Sequence, residues 1–211
     1  MTTPPRSAGA APRFPGFDVL AESGRWDPVT AAVVRARTGI PPDIRFFSPA
    51  EEAVVTALVD HLLGQRSEPM VAVTAQIDAR LVESQTDGWH YEDMPADPQA
   101  WRDTLADLNT DARARFGAGF AVCSASRQAE LIQAVQDLGS SVWHRRSAAH
   151  AWSLWTRYAC TAFYSHPLAW NEIGFSGPAY PRGYKNLGVD RREGHEVGDA
   201  RPDADPIRRS R

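Results

Sequence analysis

Side chains able to do chemistry lie closest together in DGWHYED, residues 87–93. Asp87, His90, Glu92 and Asp93 set carboxylates beside an imidazole. Such a group can bind a divalent metal or move a proton. The plainer reading is a solvated polar loop that turns at Asp87-Gly88 and is anchored by Trp89. Elsewhere the chain has no GxSxG, HExxH, GxGxxG, P-loop or CxxC motif. Cys123 and Cys160 have neither metal nor redox spacing and read as buried, reduced thiols. His144 and His150 are six residues apart, so they do not share a helix face as an i, i+4 metal pair would. His61 reads as a boundary residue, and His166, before Pro167, as a helix-end cation. The sequence therefore assigns no catalytic, cofactor-binding or metal-binding residue.

Elements must position whatever these residues do. The 211 residues suffice for one domain with a core, with arms possible, and the 43 % hydrophobic and 23 % charged fractions are those of an ordinary globular protein. A net charge of −3 gives no reason to expect nucleic acid or an anionic membrane as partner. No apolar run approaches the roughly 20 residues that span a bilayer. The opening MTTPPRSAGAAPRFPGF has no apolar h-region and no twin arginine. A cytoplasmic chain without membrane insertion is the expectation, with export on a partner's signal as the second reading.

Residues 1–45 hold Pro4, Pro5, Pro12, Pro15, Pro28, Pro41 and Pro42. They form an irregular arm, disordered over its first dozen residues. Within it, Asp27-Pro28 opens a short helix with Val29, Val33 and Val34 as its apolar stripe. Residues 46–168 read as a helical body. Ser48, Pro49 and Glu51 spell a capping box before Val54, Val55, Leu58, Val59, Leu62 and Leu63, and Gly64 ends that helix. Val73, Ile77 and Leu81 mark a second helix over 71–84. Asp97-Pro98 caps a third, with Trp101, Leu105, Leu108 and Ala112 on one side. A fourth starts near Ser124 or Ser126, carries Leu131, Ile132, Val135 and Leu138, and ends at Gly139. The fifth, from about Ser147 to Ser165, has a seam of Trp152, Trp155, Ala159 and Ala162. It is apolar nearly all round, as a central or partner-covered helix is. Cys160 shares a different side with Thr156 and Tyr164. No segment alternates with period two, so the fold class is all-α.

The third region, residues 169–211, begins AWNEIGFSGPAYPRGY, whose three glycines and two prolines argue against helix or central strand. Its charged end reads as disordered. Large side chains on such a segment need cover. Trp170, Ile173, Phe175, Tyr180, Arg182 and Tyr184 are therefore the expected partner contacts, and Cys160 joins them as a candidate. Among the seven tryptophans, Trp101, Trp152 and Trp155 read as core, and Trp26, Trp89 and Trp170 as partner-facing.

At FYSHPLAWNEIGFSGPAYPRGYKNLG the sequence resembles the gluconate 2-dehydrogenase subunit 3 family. Phe163, Tyr164, Pro167, Trp170, Ile173, Gly174, Gly177, Pro178, Gly183 and Tyr184 carry the likeness. It extends in layout over 46–187, and RFPGFDVLAESGRWDPVT and DGWHYEDMP are similar too. The resemblance implies a non-catalytic small subunit of an oxidoreductase complex. Its implied partner is an FAD-containing large subunit of the glucose–methanol–choline type, which this chain binds, stabilises and helps mature. That partner oxidises a sugar or glycoside hydroxyl, with a cytochrome subunit in some complexes. No cofactor is expected in this chain. Cys123 or Cys160 would be the residue bonded to the large subunit where a complex has such a disulfide, and neither matches a motif. The alternatives are a stand-alone helical adaptor or a metal-dependent enzyme using the Asp87–Asp93 loop.

Overall fold

The structure is a computed structural model that describes residues 14–65, 71–186, 188 and 191–198. The first dozen residues and the charged end, both expected to be disordered, lie outside the described residues. Two compact units divide the chain. One joins residues up to Ile40 with those from Tyr164 onward, and the other is Pro41–Phe163. Arm and tail, expected at 1–45 and 169–211 as separate regions, thus belong to one unit.

The larger unit is built as its capping signals dictate. Helix α2 (Pro49–Leu63) begins at Ser48, whose hydroxyl accepts from the Glu51 amide while Glu51 accepts from the Ser48 amide at 2.8 Å. Helix α3 is Val73–Val82 and α4 is Asp97–Phe116. Helix α5 is Ala125–Asp137, capped by Ser124, and α6 is Ala148–Tyr164. A hairpin of two-residue strands, β1 (Val142–Trp143) and β2 (Arg146–Ser147), precedes α6. Apart from this hairpin the described residues hold no strand, so the chain is all-α as expected.

Its core is aromatic at the centre. Trp101 and Trp155 are fully buried. Trp101 meets Phe47 and Tyr158 edge to face at 6.1 and 5.7 Å, and Trp155 meets Trp143 at 5.4 Å. Thr104, also buried, accepts from the Trp155 indole at 3.1 Å and returns its own proton to the Trp101 carbonyl. A polar atom in the core is thereby satisfied on both sides.

Two side chains brace the backbone around α2. The buried carboxylate of Asp78 on α3 accepts from the amides of Arg45, Phe46 and Phe47, each at 2.8 Å. After α2, the Gln65 amide group bonds both ways with Val71, accepting from its N–H at 2.9 Å and donating to its carbonyl at 3.1 Å.

The smaller unit holds α1 (Pro28–Ala36), a 3-10 turn over Val19–Arg25, and α7 (Pro167–Ile173). Helix α7 corrects the expectation that 169–184 holds no helix. His166 caps it, Pro167 sits in its first turn, and Gly174 ends it at φ 71°. Seven residues, about two turns, are too short to show a periodicity. The α1 stripe is also corrected. Val34 and Ala31 are buried, while Val29 and Val33 are exposed, because α1 is apolar on both sides and only packing chooses between them. Val19, Trp26, Ala31, Val34 and Trp170 form the core of this unit. Gly177 lies against Trp26, at φ 80°, where a β-carbon would come within 2.4 Å of the indole.

Asp78→Ala leaves three amides without their acceptor and is expected to destabilise Pro41–Phe163 by about 3–5 kcal/mol. Asp78→Asn, which keeps one acceptor oxygen, falls between. Urea unfolding followed by circular dichroism measures both, and a loss under about 1 kcal/mol for the alanine variant contradicts this account.

Candidate functional site

The Asp87–Asp93 loop is held from two helices and the hairpin. Arg80 of α3 and Arg157 of α6 both donate to the Asp87 carboxylate. Arg157 also reaches Asp97 at 3.4 Å, and Tyr158 donates to Asp97 at 2.6 Å. Asp97 was expected to cap α4. It lies inside the first turn instead, because its carboxylate is taken by Tyr158 and Arg157. Burial, then the Asp97 carboxylate, push the Tyr158 hydroxyl pKa up. At the loop's other end, Asp93 accepts from the Ser147 amide and from His150 Nδ1, both at 2.7 Å. Partial burial raises the Asp93 pKa, but those two donors outweigh it and hold the carboxyl below its usual range.

The aromatic residues of the loop are held just as firmly. Tyr91 stacks on His150 at 3.7 Å, nearly parallel, and donates to the Ser153 hydroxyl. Trp89 meets Tyr91 edge to face at 5.1 Å and carries the Arg157 guanidinium 4.8 Å above its ring. His90 is exposed and contacts the Tyr91 carbonyl through Nδ1. His90 and Glu92 are not drawn together with the two aspartates. Among the described residues no group of three His, Cys, Asp or Glu is arranged to hold a metal. The loop's charged groups position backbone and rings, which is work for a scaffold.

A second polar cluster escaped sequence reasoning. Asp103, Asp107 and Asp111 repeat every four residues along one face of α4. Buried Arg146 donates to Asp107 at 2.5 Å, and Asp111 accepts from the Trp143 indole at 2.8 Å. His144, at φ 53°, approaches Asp111 at 2.9 Å and Asp107 at 3.6 Å. The i, i+4, i+8 spacing of the aspartates was the available signal. Beside it, Asp111, Arg115, Leu131, Val135, Leu138 and Trp143 line an open groove of about 380 Å³ between α4 and α5.

The expected partner contacts divide. Trp170 is buried within its own unit, its indole donating to the Tyr164 carbonyl at 2.6 Å. Trp26 is buried there too, so both tryptophans are internal. Ile173, Phe175, Tyr180 and Tyr184 are exposed by 41 to 71 %. Arg182 donates to Glu22 at 3.2 Å and to the Ser176 carbonyl at 2.7 Å. Cys123 is buried as expected, but Cys160 is exposed, because it lies off the buried seam of α6.

His166 reverses its expected role. It stands at the start of α7, and its Nδ1 accepts from the Leu168 amide at 3.2 Å. An acceptor nitrogen carries no proton, so the imidazole is neutral. Burial lowers its pKa below 6.5, against a hydrogen bond to the Arg37 backbone and with a further push from the Arg37 charge.

These arrangements define a helical scaffold whose polar side chains fix loops in place. Residues 49–177 match the family model described as gluconate 2-dehydrogenase subunit 3. The chain belongs to that family. The match stops short of Pro178, Gly183 and Tyr184, three of the residues that carried the resemblance. Neither a curated protein nor a solved structure matches the chain. No helix among the described residues is long and apolar enough to cross a membrane.

Because the fold holds His166 neutral, the unfolded chain takes up this proton first as pH falls. The stabilisation is therefore complete above about pH 6.5 and is lost on acidification toward the lower folded-state pKa. His166→Asn keeps a capping oxygen without titrating there. Thermal melts of both proteins from pH 7.5 to 5 should show the wild type losing more stability than the variant, and parallel losses would refute this role.

Proposed function

We propose that this chain is the non-catalytic small subunit of a dehydrogenase complex. Its partner is an FAD-containing large subunit of the glucose–methanol–choline oxidoreductase type that oxidises a sugar or glycoside. The chain binds that partner, stabilises it and supports its maturation. The match of residues 49–177 to a family described as a subunit of gluconate 2-dehydrogenase carries this reading.

Two features of the site support it. Asp87 and Asp93, the carboxylates best placed in sequence for acid–base or metal chemistry, are engaged by Arg80, Arg157, His150 and a backbone amide. Large side chains at Ile173, Phe175, Tyr180 and Tyr184 stay exposed on the chain alone, as they do on a surface that another protein covers. The FAD lies in the partner, as does the substrate pocket.

Co-expression of the tagged chain with the products of neighbouring reading frames tests this. The expected result is a large second chain with flavin absorbance bands. A colourless single chain that turns over substrate with added metal would overturn it. His90→Ala combined with Asp93→Asn is expected to cost about 1–2 kcal/mol of stability through the lost loop contacts. It should leave turnover per flavin in the purified complex within about twofold.

A further inference from the structure

We infer that Trp89, held on its braced loop, is an anchor by which the dehydrogenase subunit docks. The inference rests on the subunit reading above and names a contact surface that lies within the family-matched residues, apart from the tail.

Trp89 is 47 % exposed, yet its ring is fixed on two sides. Tyr91 meets it edge to face at 5.1 Å, and the Arg157 guanidinium lies 4.8 Å from its centroid. Each support is itself held, Tyr91 by its stack on His150 and Arg157 by Asp87 and Asp97. The loop has no regular structure between Gln85 and Pro95. Side chains therefore do the work that a helix or strand would do, and they hold in place a residue that the fold leaves half in solvent.

Folding alone does not require this arrangement, since an exposed loop of small polar residues would close the same gap. A tryptophan whose rotamer is set before contact loses little entropy on binding. Tryptophan and arginine are also among the residue types enriched where truncation weakens an interface strongly.

The charge of the surface specifies the partner further. Asp87 and Asp97 balance the guanidinium groups of Arg80 and Arg157. Glu92, three residues beyond Trp89, is exposed and has no ion pair among the described residues. The partner surface that fits is an apolar socket for the indole flanked by a lysine or arginine.

The test titrates the purified dehydrogenase chain from the co-expression complex against full-length variants at low and high salt. Trp89→Ala should weaken Kd by roughly 30-fold, and Trp89→Phe should recover most of that loss. Glu92→Lys should weaken binding several-fold at low salt and little at high salt, by slowing association. This second variant alters an exposed charge alone, so it reports even if the alanine variant folds poorly. Binding within about twofold of wild type for folded Trp89→Ala and for Glu92→Lys overturns the inference and leaves the subunit reading standing. A wild-type chain that binds no dehydrogenase overturns both.

Discussion

Three backbone amides converge on one buried carboxylate, and the larger unit takes its order from that point. Asp78 accepts from Arg45, Phe46 and Phe47, which have no helix or strand of their own to satisfy them. Buried amides left unpaired are expensive, and a carboxylate is a strong acceptor. The bond sets the chain direction just ahead of Ser48, so α2 starts with its capping box already aligned. It also delivers Phe47 edge-on to Trp101, the centre of the aromatic core. One charge on α3 thereby couples the start of α2 to the face of α4.

Local signals were legible in the sequence and distant ones were not. The capping box at Ser48, the start of α5 at Ser124 or Ser126, and the α4 face of Trp101, Leu105, Leu108 and Ala112 involve residues at most a few turns apart. Asp78 carries no such mark, because its partners are 31 to 33 positions away. Helix α7 was hidden by its brevity and by a histidine in the place where serine or aspartate is usual. The buried side of α1 was undetermined, since Val29, Val33 and Val34 span more than one face. Trp170 looked like a surface anchor because glycine and proline surround it. Gly177 is one reason it is not, since its missing side chain makes room for Trp26 in the same small core.

For the candidate site, the sequence located the loop and favoured a polar loop over a metal or proton-transfer site, but the residues that hold it were not legible. Asp, His and Glu in one short stretch suggest chemistry only while their partners are unknown. Once Arg80, Arg157 and Ser147 are supplied from three other elements, the same carboxylates become fasteners. The acidic face of α4 obeys the same logic. Asp107 and Asp111 receive an arginine, an indole and an imidazole from the hairpin, and so hold the hairpin that leads into α6. Unlike charges thus meet across elements at both the Asp87–Asp93 loop and the hairpin.

The two-way bond between Gln65 and Val71 has a consequence for how the chain can be altered. It ties the backbone just past α2 to the backbone just ahead of α3 through one side chain. An alteration at Gln65 is thus felt by two helices at once, because one amide group closes the end of the first and the approach to the second.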